Sequence, residues 1–230
     1  MSDIFNIETE EIPGGLKLFI SKEHRFGTDA LKLAEFAAVR MKKNHIVCDL
    51  CTGCGIVPFL LISKDVKPVL IFALDIKAEA VSMLHDSVKI NSLNQIIFPF
   101  LEDVKNINWE MLKENDYPVG KCDLVTVNPP YYKAKDGLKR ETGAQARHEL
   151  LCELEDVIKT GAKFLKYGGR FIMCHLPERL SDVICALRKY NLEPKNIEFL
   201  INKNNKRPWL MLVDAKKGGK PSVRITVDYK

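Results

Sequence analysis

The chain has 230 residues, 46% of them hydrophobic and 28% charged, enough for one α/β domain with a proper core. No run approaches the ~20 apolar residues of a membrane span, and Met1-Ser-Asp-Ile-Phe-Asn-Ile-Glu8 lacks both parts of a secretory signal, so a cytoplasmic protein is expected. Seven cysteines, odd in number and scattered, predict reduced thiols rather than a disulfide framework, and a net charge of +5 permits a polyanionic partner without requiring one.

In chain order, Leu16-Lys-Leu-Phe-Ile20 after Pro13-Gly14-Gly15 predicts one strand of a small leading hairpin. A helix is expected from Thr28 or Asp29 to Met41, with Leu31, Ala34, Ala38 and Met41 on one face and a capping residue in front. Alternation then sets in. Strands are predicted at 45–50, 69–75, 95–101, 122–127 and 170–175, and helices at 56–64, 78–90, 149–166 and 178–190. The long fourth helix is expected to stop at Gly168-Gly169. This alternation implies βαβ units and a mostly parallel sheet with helices on both faces. The ending differs: β-like runs at 197–202, 209–215 and 222–228 have no helix between them, and Lys216-Lys-Gly-Gly-Lys-Pro221 reads as a hairpin turn. Antiparallel strands are therefore expected to finish the sheet. The division expected is a hairpin-and-helix extension over 1–44 and a main domain over 45–230.

The residues with chemistry fall where strands end. Asp123-Leu-Val-Thr-Val127 runs into Asn128-Pro129-Pro130-Tyr131-Tyr132. Two prolines cannot continue a strand ladder, and each keeps its predecessor out of the helical region. A stiff extended turn results, able to aim the Asn128 amide and the Pro129 carbonyl at one point. Two acceptors beside an aromatic ring suit a planar group carrying an NH2. The first strand of the alternation runs into Asp49-Leu-Cys-Thr-Gly53-Cys-Gly55, a loop whose glycines let a ligand approach the backbone. Asp75 closes the next strand, 26 residues on, and can accept both hydroxyls of a ribose; Glu102-Asp103-Val104 closes the third. One acid at a strand end is usually a solvated turn. Three at successive strand ends, between a glycine loop and Asn-Pro-Pro-Tyr, point to a site.

These residues, over roughly 24–215, resemble the class I S-adenosylmethionine-dependent methyltransferases, in the amino-methylating branch that carries Asn-Pro-Pro-Tyr. More narrowly, Arg25-Phe-Gly-Thr-Asp-Ala-Leu31, the glycine loop through Pro58, Asn128-Pro-Pro-Tyr131 and Ala146-Arg-His-Glu149 resemble the bacterial tRNA1(Val) adenine-N6 methyltransferases. The resemblance implies a Rossmann-like α/β fold with a seven-stranded, mostly parallel sheet. It implies S-adenosylmethionine as cofactor, with Asp49, Cys51, Gly53 and Gly55 at its methionine end and Asp75 and Ile76 at its ribose. Asp103 and the Val104 N–H would read its adenine, and Arg25, Thr28 and Asp29 would close over it, with Asn128 also in contact. Cys51 departs from the commoner Gly-x-Gly-x-Gly pattern, and its side chain is expected to turn away from the cofactor. The catalytic set implied is Asn128, Pro129, Pro130 and Tyr131, with no metal. Asn128 and Pro129 would accept the two hydrogens of an exocyclic amine, and Tyr131 would stack on its base.

For substrate, Lys133, Lys135, Lys139, Arg140 and Arg147 outnumber Asp136 and Glu141 after the catalytic turn, which suggests a basic flap for phosphates. With Tyr131 and Tyr132 they form the expected substrate contacts. Lys203, Lys206 and Arg207 beside Trp209 are a second candidate patch. A single-stranded tRNA anticodon-loop adenine is the expected target, reached without base-flipping cost. The rival is the glutamine amide of a release factor, whose methyltransferases share Asn-Pro-Pro-Tyr but carry a sizeable helical N-terminal domain. Cys48-x2-Cys51-x2-Cys54 imitates part of a metal-binding run but lacks a fourth cysteine at the right distance. His148 and His175 read as structural, and a monomer is expected.

Overall fold

The structure, a computed structural model, describes residues 7–129, 154–204 and 206–229. A two-stranded antiparallel hairpin, β1 (Glu8–Ile12) and β2 (Leu16–Ile20), leads into α1 (Thr28–Ala38). The chain then alternates through β3 (Ile46–Leu50), α2 (Ile56–Ile62), β4 (Leu70–Asp75), α3 (Ala78–Ile90) and β5 (Ile97–Leu101). A short α4 (Trp109–Glu114) precedes β6 (Cys122–Val127). Beyond residue 153 come α5 (Leu154–Phe164), β7 (Leu165–His175), a 3₁₀ turn over Pro177–Arg179 and α6 (Leu180–Lys189). Strands β8 (Leu192–Ile201), β9 (Pro208–Lys217) and β10 (Arg224–Tyr229) finish it.

The main sheet has the order β10-β8-β9-β7-β6-β3-β4-β5. It has eight strands rather than the expected seven, and β9 alone runs against the rest. Strands β3, β4 and β6 are buried along almost their whole length, as parallel strands covered on both faces must be. Helices α1, α2 and α3, with the hairpin, pack one face through Leu18, Leu33, Phe59, Leu61 and Leu84. The second face is closed by α4, α5 and α6 through Leu112, Val157, Ile158 and Leu187. Among the described residues no helix is long and apolar enough to cross a membrane.

Four expectations need correction. In α1 the buried face carries Ala30, Leu33, Ala34 and Ala37, so Leu31 and Ala38 sit at its margin, and Gly27 precedes the helix without a side-chain cap. The helix before β7 ends at Phe164, not at the glycines. The Lys217 ammonium donates to the carbonyls of Ala162 and Leu165 at 2.6 and 2.8 Å, satisfying the helix end early. Gly168, with φ 82°, instead sits where the β6–β7 register shifts, inside the strand. The third correction is that 216–221 is not a hairpin. Both edges of β9 are taken by β7 and β8, so β10 passes beyond β8 and pairs with its free edge, in parallel. Finally, α4 escaped the sequence reading because it is only six residues long, although Asn108 caps it by accepting from the Met111 N–H at 3.0 Å.

Candidate active site

Strands β3 to β5 step one way across the sheet while β6 lies on the other side of β3, which makes the β3/β6 boundary the point where strand order reverses. Open α/β sheets bind ligands at the carboxyl ends of strands at such a boundary. A cleft of about 1110 Å³, open mouth included, lies there. It is lined by Asp49, Cys51, Gly53, Asp75, Ile76, Asp103, Val104, Asn128 and Pro129 from the strand ends, and by Arg25 and Asp29 from the segment that enters α1. Residues far apart in sequence thus converge because consecutive parallel strands all end at one edge.

The glycine loop is held from behind. Asp75, at the end of β4, accepts from the Gly53 N–H at 2.7 Å through one carboxylate oxygen and from the Lys77 N–H at 3.0 Å through the other. Each oxygen keeps a further lone pair toward the cleft, so Asp75 both fixes the loop and can accept from a ligand. Cys51 adopts φ 57°, the left-handed region that favours glycine. The missing glycine therefore had a conformational job, and Cys51 does it under strain of about 1–3 kcal/mol. Cys51 lines the cleft and also packs against the core behind it. Gly55 does not. It begins α2 with φ 87°, and a Cβ on it would lie 2.3 Å from Leu84 Cδ1, so it serves close packing of α2 on α3. Thr28 likewise stands outside the lining.

Asp49, near the carboxyl end of β3, reaches the cleft although only 2% of its surface is solvent-accessible. Its Oδ1 accepts from the Thr126 hydroxyl at 2.5 Å, while its buried Oδ2 and the buried Thr52 hydroxyl have no hydrogen-bond partner among the described residues. Burial pushes the Asp49 carboxyl up to about 7, Asp75 adds to the rise, and the hydroxyls of Thr126 and Thr52 oppose it. Thr52 acts there by proximity, without completing a hydrogen bond. A buried carboxylate oxygen with no partner is costly. It fits a cationic donor from a ligand.

At the next strand end, Asp103 accepts from the Lys105 N–H at 2.9 Å and from the Asn106 amide at 3.0 Å, while its own N–H donates to Glu102 Oε1. The carboxylate is engaged within its own loop, and Val104, whose carbonyl accepts from Thr160, lines the cleft beside it. Arg25 is exposed and ion-paired with Glu8 of the hairpin. Asn128 is half-buried and Pro129 buried; the Cys174 thiol of β7 donates to Asn128 Oδ1 at 3.1 Å. Sequence reading missed Cys174, because nothing in a strand run marks which residue of the neighbouring strand meets Asn128. It also missed His24, Phe26, Thr52 and Lys77, which line the cleft too. Pro130, Tyr131, Tyr132, Lys133, Lys135, Lys139, Arg140, Arg147 and His148 lie outside the described residues.

Lys203, Lys206, Arg207 and Trp209 are exposed around the turn between β8 and β9, at the same edge of the sheet as the cleft. Cys48 and Cys54 do not converge on one point. Cys48 packs in the core on one face of the sheet and Cys54 in the core on the other, and burial pushes both thiols up, Cys54 to about 12. His175 is fully buried, accepts from the Leu176 N–H at 2.9 Å and is pushed down to about 4 by burial and by Arg179.

Residues 26–117 match the family described as the TRM5/TYW2 methyltransferase domain. The chain is 26% identical over 183 residues to the tRNA1(Val) (adenine(37)-N6)-methyltransferase of Aeromonas salmonicida, covering 79% of this chain and 72% of that one. It is 25% identical over 190 residues to the enzyme of the same name from Bacteroides thetaiotaomicron, covering 82% and 75%. Among solved structures, Methanocaldococcus jannaschii Trm5 in complex with adenosine matches with a TM-score of 0.66 at 16% identity, over 96% of this chain and 57% of that one. TYW2 of M. jannaschii in complex with AdoMet matches with a TM-score of 0.59 at 15% identity, over 94% and 88%. The fold is that of the Rossmann-like methyltransferases, and the curated relatives are tRNA methyltransferases.

Proposed function

We propose that this chain is an S-adenosylmethionine-dependent methyltransferase acting on the exocyclic amine of an adenine in a tRNA anticodon loop, tRNA1(Val) by its relatives' names. The observation that carries the reading is one cleft joining the glycine loop, the unpartnered Asp49 oxygen and the Asn128-Pro129 acceptors. The cytoplasm, where tRNA is modified, is the proposed location.

The residues present fit the cofactor. Asp49 Oδ2 and the Thr52 hydroxyl want a donor, which the amino group of a methionine end supplies; Asp75 has lone pairs for ribose hydroxyls; and the Val104 backbone meets an adenine edge. When bound, S-adenosylmethionine supplies a methyl group on a sulfonium. The chain's own part is to hold the nucleophile. The lone pair of an adenine NH2 is delocalised into the ring. The Asn128 oxygen and the Pro129 carbonyl accept its two hydrogens, drawing the nitrogen toward tetrahedral geometry and stabilising positive charge as it forms. The Cys174 thiol donates to Asn128 Oδ1 and so orients the amide. Tyr131 is proposed to stack on the base, a contact worth roughly 1–3 kcal/mol. Phosphates would be met by the flap cations and by Lys203, Lys206 and Arg207, the latter set on the cleft's edge of the sheet.

The test is incubation with tritiated S-adenosylmethionine and unmodified tRNA, release factor in a parallel tube, and digestion of the RNA to nucleosides. Label in N6-methyladenosine that Asn128→Ala abolishes is the expected result. Label in release factor alone would transfer the enzyme to glutamine amides.

A further inference from the structure

The two edges of the main sheet are treated differently. Strand β5, at one edge, carries Pro99 in its middle and so lacks an N–H there. Proline is a common way to block pairing by another chain. Strand β10, at the other edge, has neither proline nor lysine, and among the described residues nothing lies beyond it. One row of its backbone groups pairs with β8 in register from Arg224 to Tyr229, and the other row faces outward. Alternation puts Val223, Ile225, Val227 and Tyr229 on one face, where they are 48%, 59%, 45% and 62% exposed. Four apolar side chains in a row on the face beside an open strand edge can pack against the cross-strand neighbours that an added strand would bring.

The sequence of β10 is complementary to itself. A two-fold axis through Thr226 places Arg224 opposite Asp228 of a second copy, Ile225 opposite Val227, and Val223 opposite Tyr229. Both charge pairs are of opposite sign, and all apolar residues of both copies share one face. Directly opposed cross-strand pairs of these kinds stabilise antiparallel pairing. A parallel or shifted pairing breaks the charge match. We infer that β10 pairs antiparallel with β10 of a second copy of this chain, joining two sheets into one continuous sheet with two-fold symmetry. This symmetry is the commonest one for homodimers. The two clefts then open at opposite edges of the joined sheet, so each copy works alone and the pairing is independent of the function proposed above.

Charge exchange tests this. In sedimentation velocity the full chain is expected at twice the mass of one chain. Arg224→Asp opposes two acids at each end and Asp228→Arg opposes two guanidinium groups, so each single variant is expected to sediment as a monomer. The double variant restores opposite signs and is expected to return to the dimer, with unchanged circular dichroism in all three as the check on folding. Thr226→Cys, at the axis, is expected to give a covalent dimer on mild oxidation that the unsubstituted chain does not. A full chain that stays monomeric at every accessible concentration overturns the inference, and so does a double variant that fails to re-associate while folded.

Discussion

Replacing Asp49 with Asn separates the stability of the protein from its proposed ligand binding. The carboxyl is buried and pushed up to about 7 from its ordinary 3.8. At 1.36 kcal/mol per pH unit, that rise corresponds to ~4 kcal/mol against the ionised form in the folded state. Between the two pKa values the folded chain holds a proton that the unfolded chain has released. Stability from this group is therefore full below about pH 4 and is lost as pH rises through 7. The amide of Asp49→Asn can still accept from Thr126, and it carries no charge to desolvate. Relaxation will absorb part of the difference, so ~2 kcal/mol of stabilisation at pH 8 is expected, a rise in Tm of about 4–8 °C for a chain of this size. The same substitution sets an NH2 where the Oδ2 acceptor stood, facing the ammonium it is proposed to bind. The melting-point rise that S-adenosylmethionine gives the wild type should be lost. Differential scanning fluorimetry from pH 4 to 8, with and without cofactor, reads both effects. The reasoning is refuted if Asp49→Asn melts no higher than the wild type at pH 8, or if the cofactor raises its Tm as much as it raises that of the wild type. In the wild type, cofactor affinity should also weaken as pH falls below 7, because protonation removes the carboxylate.

Three further outcomes follow from the packing around the site. Cys174→Ala removes the thiol that orients Asn128, so kcat should fall about 3–10-fold, the worth of one hydrogen bond, with KM for the cofactor unchanged; Cys174→Ser keeps a donor and should recover most of the rate. Gly55→Ala forces a Cβ onto Leu84 at a backbone of φ 87°, and urea unfolding should show a loss of ~1–3 kcal/mol. Combined with Leu84→Ala, which clears the space, the loss should be less than the sum of the two single losses. Asp214 is fully buried and accepts from Arg40 at 2.9 Å, Arg170 at 3.0 Å and Asn196 at 2.6 Å. It ties α1, β7 and β8 to β9, and Asp214→Asn should cost ~3–5 kcal/mol by leaving two guanidinium groups without their carboxylate.

Much of this protein is written in local sequence. Apolar runs of five or six residues alternating with helical periods are enough to place β3, β4, β6 and α3, because each signal is complete within its own segment. The same holds for the cleft's membership. A parallel sheet brings every strand's carboxyl end to one edge, so acids and glycines at successive strand ends must meet, whatever the details of packing. Asp49, Gly53, Asp75, Asp103 and Asn128 were legible for that reason.

Other features exist only once the chain has folded. That Gly55 makes room for Leu84 and not for a ligand, that Lys217 ends α5 before the glycines do, and that Cys174 meets Asn128 are contacts between residues 29 to 55 positions apart. No local pattern records which side chains meet across strands or helices. The place of β10 shows the limit most plainly. Its sequence specifies a strand and the turn residues before it suggest a hairpin, but β9 already has a neighbour on each side. A strand has two edges and no more, so the occupancy of an edge, decided by the whole sheet, sent β10 past β8 and left its own outer edge without a neighbour among the described residues.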